Sequence, residues 1–270
     1  MHVALRVLTF LAVLLAAVLA FTHYLRRSSM FFPSRYPEGR WDVNAWSVTP
    51  AEHTFSTSDH LRLHAWLFRA ADPHAPLLLW FHGNAGNLTD RAETAAELAR
   101  RGVSVFVFDW RGFGKSEGRP SESGCYRDAL AAFDYVRTLQ PSRIILYGES
   151  IGGPYAAYVA KERKGASGVV IENSFPSLTA LGNALYAPLP LGYAAPLSMR
   201  TTDWLNEAGL PVLVMHGRRD AVIPYRLGKA LFDGLRVPKE FLTSDNAGHC
   251  EIPAFEGRRY YDAVAAFARR

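Results

Sequence analysis

IILYGESIGG, residues 144–153, joins a short apolar run to a serine flanked by glycines. The run 144–147 has the length and composition of a buried strand, and residues 155–163 favour a helix. A serine hydroxyl attacks a carbonyl group only if it projects from the sheet edge, and a tight strand-to-helix turn places it there. The sequence therefore predicts Ser150 as a nucleophile, against the alternative of a glycine-rich turn with an incidental serine.

Two further catalytic candidates follow Ser150 along the chain. The apolar run 212–215 leads to Asp220, and His249 lies in a loop near the C-terminus. An acid just after the carboxyl end of a parallel strand lies on the same sheet edge as the serine. The order Ser, Asp, His along the chain is the one expected where a nucleophilic serine lies in a strand-to-helix turn. We predict that His249 takes the proton from Ser150 while Asp220 orients the imidazole ring. Asp245 is the alternative acid, because it lies nearer to His249 in the sequence.

A glycine-rich segment, residues 82–87 (HGNAGN), supplies the other half of a candidate oxyanion hole. Such a hole needs backbone N–H groups that point at the negative charge developing on the attacked carbonyl oxygen. The N–H groups of Asn84 and Ile151 are the predicted donors, and Ala85 is the alternative to Asn84. We interpret His82 as a structural hydrogen-bonding residue rather than as a second base.

Five short, continuous apolar runs predict strands that are buried on both faces, as in a parallel sheet. The runs are 77–81, 103–108, 144–147, 169–171 and 212–215. Helical patterns separate them, so we expect a mostly parallel α/β sheet with helices on both faces. Residues 61–68 alternate only partly, which indicates a half-exposed strand at an antiparallel edge.

Composition and charge exclude several classes of function. The 270 residues carry a net charge of +5, but the basic residues are scattered, so no nucleic-acid partner is predicted. The two cysteines show no zinc-binding spacing, and no metal is expected. Gly114-Lys115-Ser116 resembles a phosphate-binding loop, but Asp109 occupies the position that requires the first glycine. We therefore predict no cofactor, and nothing in the sequence implies an obligatory protein partner.

The N-terminal segment predicts a membrane anchor. Residues 7–25 contain no Asp, Glu, Lys or Arg, and at the rise of an α-helix they span about 28 Å, close to the thickness of a bilayer core. A cleaved signal peptide is the alternative, and a buried core helix is disfavoured because the segment is apolar on every side. We expect residues 1–29 to form a single-pass anchor or signal segment and residues 30–270 to form one domain. Basic residues flank the segment almost evenly, so neither side of the membrane is favoured.

Two stretches of the domain lack a clear period. Residues 30–50 are rich in aromatic residues and proline, and they indicate an irregular linker that packs onto the domain. Residues 175–204 contain four prolines and are longer than a connection between core strands requires. They form either a small lid over the site or an irregular surface insertion.

Five motifs occur in order along the chain: FHGNAGN (81–87), FDWRGFGKSEG (108–118), YGESIGG (147–153), HGRRDAVIP (216–224) and GHCE (248–251). Together they resemble those of the membrane-anchored α/β-hydrolases with a serine-aminopeptidase-like or depalmitoylase-like domain. The resemblance covers residues 30–270 and implies the α/β-hydrolase fold and hydrolysis of an ester, thioester or amide through an acyl-serine. Relatives often carry Asn-Asp after the catalytic histidine, where this chain has Cys250 and Glu251.

Three functions remain to be compared. The main hypothesis is hydrolysis of a carboxylic ester or thioester on a small-molecule or lipid-like acyl substrate near a membrane. An aminopeptidase-type amide hydrolase is the alternative, although it needs a carboxylate to hold the substrate amine and the sequence identifies none. A non-catalytic binding protein on the same fold is disfavoured, because it has no reason to retain all three catalytic groups. Cys250 is interpreted as a small side chain packed beside the site rather than as a reactive thiol.

Overall fold

The computed structural model describes residues 30–188, 192 and 199–270, together with Arg6, Thr9, Phe10 and Val13, which are helical. The chain divides into two compact units, Met1–Phe32 and Pro33–Arg270. The rest of the predicted anchor, within residues 7–25, lies outside the described residues. Among the residues that are described, no helix has both the length and the apolar character needed to cross a membrane.

The larger unit is built around an eight-stranded sheet. The strands of the chain are β1 (Phe32–Pro33), β2 (Ala51–Ser56), β3 (Arg62–Phe68), β4 (Leu77–Phe81), β5 (Ala85–Gly86), β6 (Ser104–Phe108), β7 (Ile144–Glu149), β8 (Ala166–Glu172), β9 (Val212–Gly217) and β10 (Lys239–Ser244). Their order in the sheet is β10-β9-β8-β7-β4-β6-β3-β2. From β10 to β6, each strand runs parallel to its neighbours. β3 is antiparallel to β6, and β2 is antiparallel to β3. The mostly parallel sheet predicted from the five apolar runs is confirmed, and those runs form its centre.

Helices cover both faces of this sheet. The helices of this unit, over the residues that the structure describes, are α1 (Ala92–Arg100), α2 (Glu122–Thr138), α3 (Gly152–Glu162), α4 (Leu178–Leu185), α5 (Thr201–Ala208), α6 (Tyr225–Gly234), α7 (Ile252–Glu256) and α8 (Arg258–Arg269), with short 3₁₀ helices at Val43–Ala45 and Leu88–Arg91. Val107 and its neighbours on one face form a buried cluster with α1 and α8. The adjacent Phe106 points to the opposite face, where its ring lies 5.8 Å from that of Tyr135 in α2.

The strand predicted at residues 61–68 is present as β3 and pairs antiparallel with both neighbours, but the prediction that it is half-exposed and lies at the edge is wrong. Six of the seven residues of β3 are buried. β2 pairs along its outer side, so β3 is not the edge of the sheet. The aromatic segment that precedes β2 covers one face of β3, with the ring of Trp41 at 5.6 Å from that of Trp66. The sequence pattern of β3 is mixed because Arg62 is exposed at its start and the polar His64 is buried within it.

The segment 175–204 contains short helices. Ser177 caps α4 through a hydrogen bond from the Ala180 N–H to its side chain, and no residue of α4 is buried. α5 begins at Thr201 and buries Trp204 and Leu205, and it packs against α3. The C-terminal part of the segment is therefore packed against the domain rather than lying on its surface. Residues 189–191 and 193–198 lie outside the described residues, and the lid stays a prediction.

Candidate active site

Ser150 occupies the turn between β7 and α3. Its φ of +54° is in the left-handed region that residues with a side chain rarely adopt. The Ser150 N–H donates to the Glu172 carbonyl at 2.8 Å, and the Gly153 N–H donates to the Ser150 carbonyl at 3.0 Å. These bonds hold the residue in its unusual conformation at the carboxyl end of the central strand, with 5% of its surface exposed.

Two glycines allow this turn to lie against its neighbours. A Cβ atom on Gly152 would lie 1.9 Å from the Phe81 carbonyl oxygen at the end of β4. A Cβ atom on Gly148 would lie 2.5 Å from the Cα atom of Gly153. Because both contacts are with backbone, which cannot move aside as a side chain can, any larger residue would displace the turn and Ser150 with it.

The structure brings the three predicted side chains together at one sheet edge. His249 Nε2 lies 3.0 Å from Ser150 Oγ, and His249 Nδ1 lies 2.8 Å from Asp220 Oδ2. Asp220 follows β9, and His249 lies in the loop after β10. Asp245, the alternative acid, is exposed and pairs with Arg218 at 2.7 Å. The geometry therefore selects Asp220 as the partner of the imidazole.

The Asp220 carboxylate is held by several donors. Its Oδ1 accepts the N–H groups of Val222 at 2.9 Å and Ile223 at 2.8 Å. Burial disfavours the charged form, but hydrogen bonds from His216 and His249 outweigh it and hold the pKa of Asp220 below its usual range. The carboxylate is thus ionised at neutral pH and able to stabilise a positive charge on the imidazole.

Asn173 is a site residue that the sequence reasoning missed. It follows β8, and its Nδ2 donates to Asp220 Oδ2 at 2.6 Å and to the Gly248 carbonyl at 3.3 Å. Its backbone is left-handed, with φ of +47°, and its N–H donates to the Met215 carbonyl at 2.9 Å. The available signal was its place directly after a buried parallel strand, at the same edge as Ser150.

The segment after β4 passes beside the nucleophile. A Cβ atom on Gly83 would lie 3.6 Å from the Cβ atom of Ser150. Over the described part of the chain, the N–H groups of Asn84 and Ile151 have no hydrogen-bond acceptor in the protein. Ala85, the alternative donor, is the first residue of β5. Asn84 and Ile151 stay the predicted oxyanion donors, with Ala85 as the alternative to Asn84.

His82 is buried at the start of this segment. Burial lowers its pKa to about 3, so the ring is neutral at pH 7. Its Nδ1 lies 2.8 Å from the Gly83 carbonyl oxygen and donates to it. The residue has the environment of a structural hydrogen-bond donor, as interpreted from the sequence.

A cavity of about 210 Å³ is lined in part by Glu149 and Cys250, the chain neighbours of Ser150 and His249, but by none of the three triad side chains. Its lining residues are Trp80, Asp90, Arg91, Thr94, Glu149, Glu172, Cys250 and Pro253. Burial raises the pKa of Glu172 to about 8, and its carboxyl group bonds to the hydroxyl of Tyr147. Burial likewise raises the pKa of the Cys250 thiol well above its usual range, which disfavours the reactive thiolate. In the described residues, no group of three or more His, Cys, Asp or Glu side chains is arranged to hold a metal ion.

Comparisons with known proteins place the chain among related sequences and folds. A family model described as serine aminopeptidase, S33, matches residues 72–188. An uncharacterized protein of Mycobacterium tuberculosis is 33% identical over 98% of this chain and 94% of its own length. Protein bem46 of Schizosaccharomyces pombe is 32% identical over 90% of this chain and 86% of its own length. The alpha/beta hydrolase domain-containing protein WAV2 of Arabidopsis thaliana is 32% identical over 67% of each chain.

The fold is also similar to solved structures. The esterase Pf2001 of Pyrococcus furiosus superposes with a TM-score of 0.71 at 21% sequence identity. The superposition covers 90% of this chain and 98% of that chain. At this level of identity the likeness concerns the arrangement of strands and helices alone.

Proposed function

This chain belongs to the α/β-hydrolase superfamily, and we propose that it is a serine hydrolase that cleaves a carboxylic ester or thioester through an acyl-serine intermediate. The observation that carries the proposal is the unbroken relay from Ser150 Oγ through both ring nitrogens of His249 to Asp220 Oδ2. Such a relay activates a serine hydroxyl, which is a weak nucleophile at its free pKa.

The first half of the reaction forms the acyl-enzyme. As Ser150 Oγ attacks the carbonyl carbon, His249 Nε2 takes the hydroxyl proton, and the Asp220 carboxylate stabilises the imidazolium. The N–H groups of Asn84 and Ile151 donate to the oxyanion of the tetrahedral intermediate. The intermediate collapses when the bond to the alcohol or thiol leaving group breaks, and that group receives the proton from His249.

The second half releases the acid. A water molecule loses a proton to His249 Nε2 and attacks the acyl carbonyl through the same oxyanion site. Collapse of this second intermediate breaks the bond to Ser150 Oγ, which regains the proton from the imidazolium. The product is a carboxylic acid, and the serine is restored.

An ester or thioester fits the site better than a substrate with a free amine. The three carboxyl groups that line the cavity of about 210 Å³ are already engaged: Glu149 and Asp90 contact Arg91, and Glu172 bonds to the Tyr147 hydroxyl. An aminopeptidase needs an unpaired carboxylate at a fixed distance from the nucleophile. Engaged carboxyl groups bind an ammonium group weakly, because the existing partner must first be displaced.

Amide hydrolysis of the aminopeptidase type is the second candidate. The description of the matching family model, serine aminopeptidase, S33, favours it over residues 72–188. Its chemistry uses the same relay, but His249 must then protonate an amine as the leaving group. Amino-acid anilides as substrates distinguish this candidate from the ester hydrolase.

The experiment is a rate comparison on the purified full-length chain. Esters of p-nitrophenol with acyl chains of increasing length, the matching thioesters and amino-acid anilides are assayed with the native chain and with Ser150→Ala. We expect turnover of esters or thioesters by the native chain and none above background by the variant. Faster turnover of anilides than of esters would promote the peptidase, and equal turnover by both chains would remove Ser150 from the reaction.

Attachment to a membrane through residues 1–29 is part of the proposal. The apolar segment 7–25 supports it, since its length matches a bilayer core. An anchor would hold the site close to lipid-like acyl substrates. The full-length chain is then expected in the membrane fraction after a high-salt wash, and a chain that lacks residues 1–29 in the soluble fraction. Equal distribution of the two would contradict the anchor.

A further inference from the structure

A buried ion pair links the nucleophile turn to the segment after β4. Glu149 directly precedes Ser150, and its Oε1 lies 2.5 Å from Arg91 Nη2 while its Oε2 lies 3.1 Å from Arg91 Nε. The two groups meet in the forked geometry that a guanidinium forms with a carboxylate. Trp80 Nε1 donates to the same carboxylate at 3.0 Å. The pair is therefore fixed in position relative to Ser150.

The same ion pair also holds the residues on both sides of Asn84. Glu149 Oε1 accepts the Gly83 N–H at 3.3 Å. On the other side, Arg91 Nη1 donates to the Ala85 carbonyl at 3.2 Å and to the Asn87 carbonyl at 3.2 Å.

We propose that Arg91 and Glu149 are positioning residues that hold the Asn84 N–H in line with the oxyanion formed above Ser150. The inference rests on the proposed function, since it assumes that Ser150 attacks a carbonyl group. Neither side chain is a member of the relay or one of the predicted oxyanion donors. Each acts through the backbone of the segment 83–87.

The physical chemistry of the pair favours positioning over stability. Burial opposes both charges, and the attraction of Arg91, with its hydrogen bonds, still lowers the pKa of Glu149 to about 2. Replacing a complete buried ion pair by neutral side chains of similar size is often neutral for stability, whereas removing one partner is not. A charged pair is therefore not required to fill this space. What apolar side chains cannot supply is a set of directed bonds to three backbone groups around Asn84.

The activity test uses variants that avoid an unpaired buried charge. Arg91→Lys keeps the positive charge, but a single ammonium cannot reproduce the fork to Glu149 and the two bonds to the segment. The double variant Arg91→Met with Glu149→Gln removes both charges. Misplacement of one oxyanion donor lowers turnover at the chemical step, so we expect kcat to fall by about 10- to 100-fold and KM to stay within about threefold.

The matched control is Arg111→Lys. Arg111 is also buried and pairs with Asp128 at 2.7 Å and with Asp59 at 2.8 Å, but its bonds do not involve the segment 83–87. This variant shows how much kcat changes when a buried guanidinium away from the segment 83–87 is replaced. We expect it to keep kcat within about twofold of the native value.

Amide hydrogen exchange at Gly83, whose N–H donates to Glu149 Oε1, supplies a readout independent of activity. If the pair holds the segment, exchange becomes at least about tenfold faster in both Arg91 variants and stays unchanged in Arg111→Lys. Loss of kcat without faster exchange, or faster exchange with kcat retained, would overturn the proposal. If the native chain hydrolyses none of the esters, thioesters or anilides, the proposed function fails on its own. In that case the amide exchange rates alone test whether the ion pair holds the segment 83–87. Equal exchange rates in the native chain and in all variants would overturn the positioning role.

Discussion

Asn173 donates a hydrogen bond from its Nδ2 to Asp220 Oδ2 at 2.6 Å, the oxygen that also lies 2.8 Å from His249 Nδ1. A second bond from Nδ2 to the Gly248 carbonyl, at 3.3 Å, links the acid to the loop that carries the histidine. One buried amide therefore fixes the relative position of two members of the candidate triad.

Removing this amide should impair both stability and turnover. Asn173→Gly keeps a residue that adopts φ of +47° without strain, so the change isolates the side chain. A buried hydrogen bond to a charged group contributes about 1.5–3 kcal/mol, and urea unfolding should show a loss of that size. We expect kcat to fall about tenfold or more in the same variant, because the acid and the imidazole lose a shared support.

Asn173→Asp is the companion variant. It keeps the shape of the side chain but places a second carboxyl group against Asp220, and the repulsion raises the pKa of one of the two. We expect its kcat to fall further than that of Asn173→Gly as the pH rises. Native kinetics in both variants would show that Asn173 does not support the relay.

The two candidate acids can be separated by substitution. Asp220→Asn keeps the size of the side chain but removes the charge that stabilises the imidazolium, and the equivalent change in a serine protease lowers kcat by about 10⁴-fold. We expect a loss of about 10³- to 10⁴-fold here. Asp245→Asn disturbs only an exposed pair with Arg218 and should stay within about twofold. A larger loss for Asp245→Asn than for Asp220→Asn would reverse the assignment.

The close approach of the nucleophile turn to β4 predicts a stability effect. Gly152→Ala places a methyl group 1.9 Å from the Phe81 carbonyl oxygen, which requires a backbone shift. We expect it to destabilise the fold by about 3 kcal/mol or more. Gly209→Ala is the control: its φ is +70°, but no atom lies within 4 Å of the added group, so only about 1–2 kcal/mol of backbone strain applies. Equal losses in urea unfolding would contradict the close approach of Gly152 to β4.

The buried Glu172 predicts a pH dependence of stability. Its pKa is raised to about 8 in the folded chain, from the ordinary value of 4.5. Between these values the folded chain keeps a proton that the unfolded chain releases, so the free energy of unfolding falls as the pH rises from about 4.5 to 8. One proton corresponds to a slope of at most about 1.4 kcal/mol per pH unit.

Glu172→Gln removes this proton exchange, so its free energy of unfolding should fall less steeply with pH in that window than that of the native chain; Asp109, whose pKa burial raises to about 7, contributes to the slope of both chains. Glu149 does not contribute to the slope in this window. Its pKa is lowered to about 2, so its proton binding differs between the folded and unfolded chain only from about pH 2 to 4.5. Glu162→Gln, at the exposed end of α3, removes the same charge from the surface and should leave the slope unchanged. Urea unfolding at several pH values measures both. Parallel profiles for the native chain and Glu172→Gln would show that Glu172 ionises freely when folded.

The centre of the fold was predictable because its information is local. Each parallel strand is buried on both faces and therefore appears as a continuous apolar run, as at Leu77–Phe81. The turn at Ser150 was visible for a similar reason, since the glycines that permit it lie within three residues of it.

The parts that were missed depend on distant contacts. β3 is buried by β2 and by the segment around Trp41. The sequence of β3 alone does not show that these segments pack against it. Asn173 meets Asp220 only because β8 and β9 are neighbours in the sheet, which follows from the strand order. The choice between Asp220 and Asp245 likewise needed the path of the loops after β9 and β10.

The most direct test of the proposed mechanism is the site of covalent labelling by a fluorophosphonate. The purified full-length chain and Ser150→Ala are treated with the probe, and the modified peptide is identified by mass spectrometry. We predict a single adduct on Ser150 in the native chain and no adduct in the variant. An adduct on another residue, or equal labelling of the two chains, would contradict the assignment of Ser150 as the nucleophile.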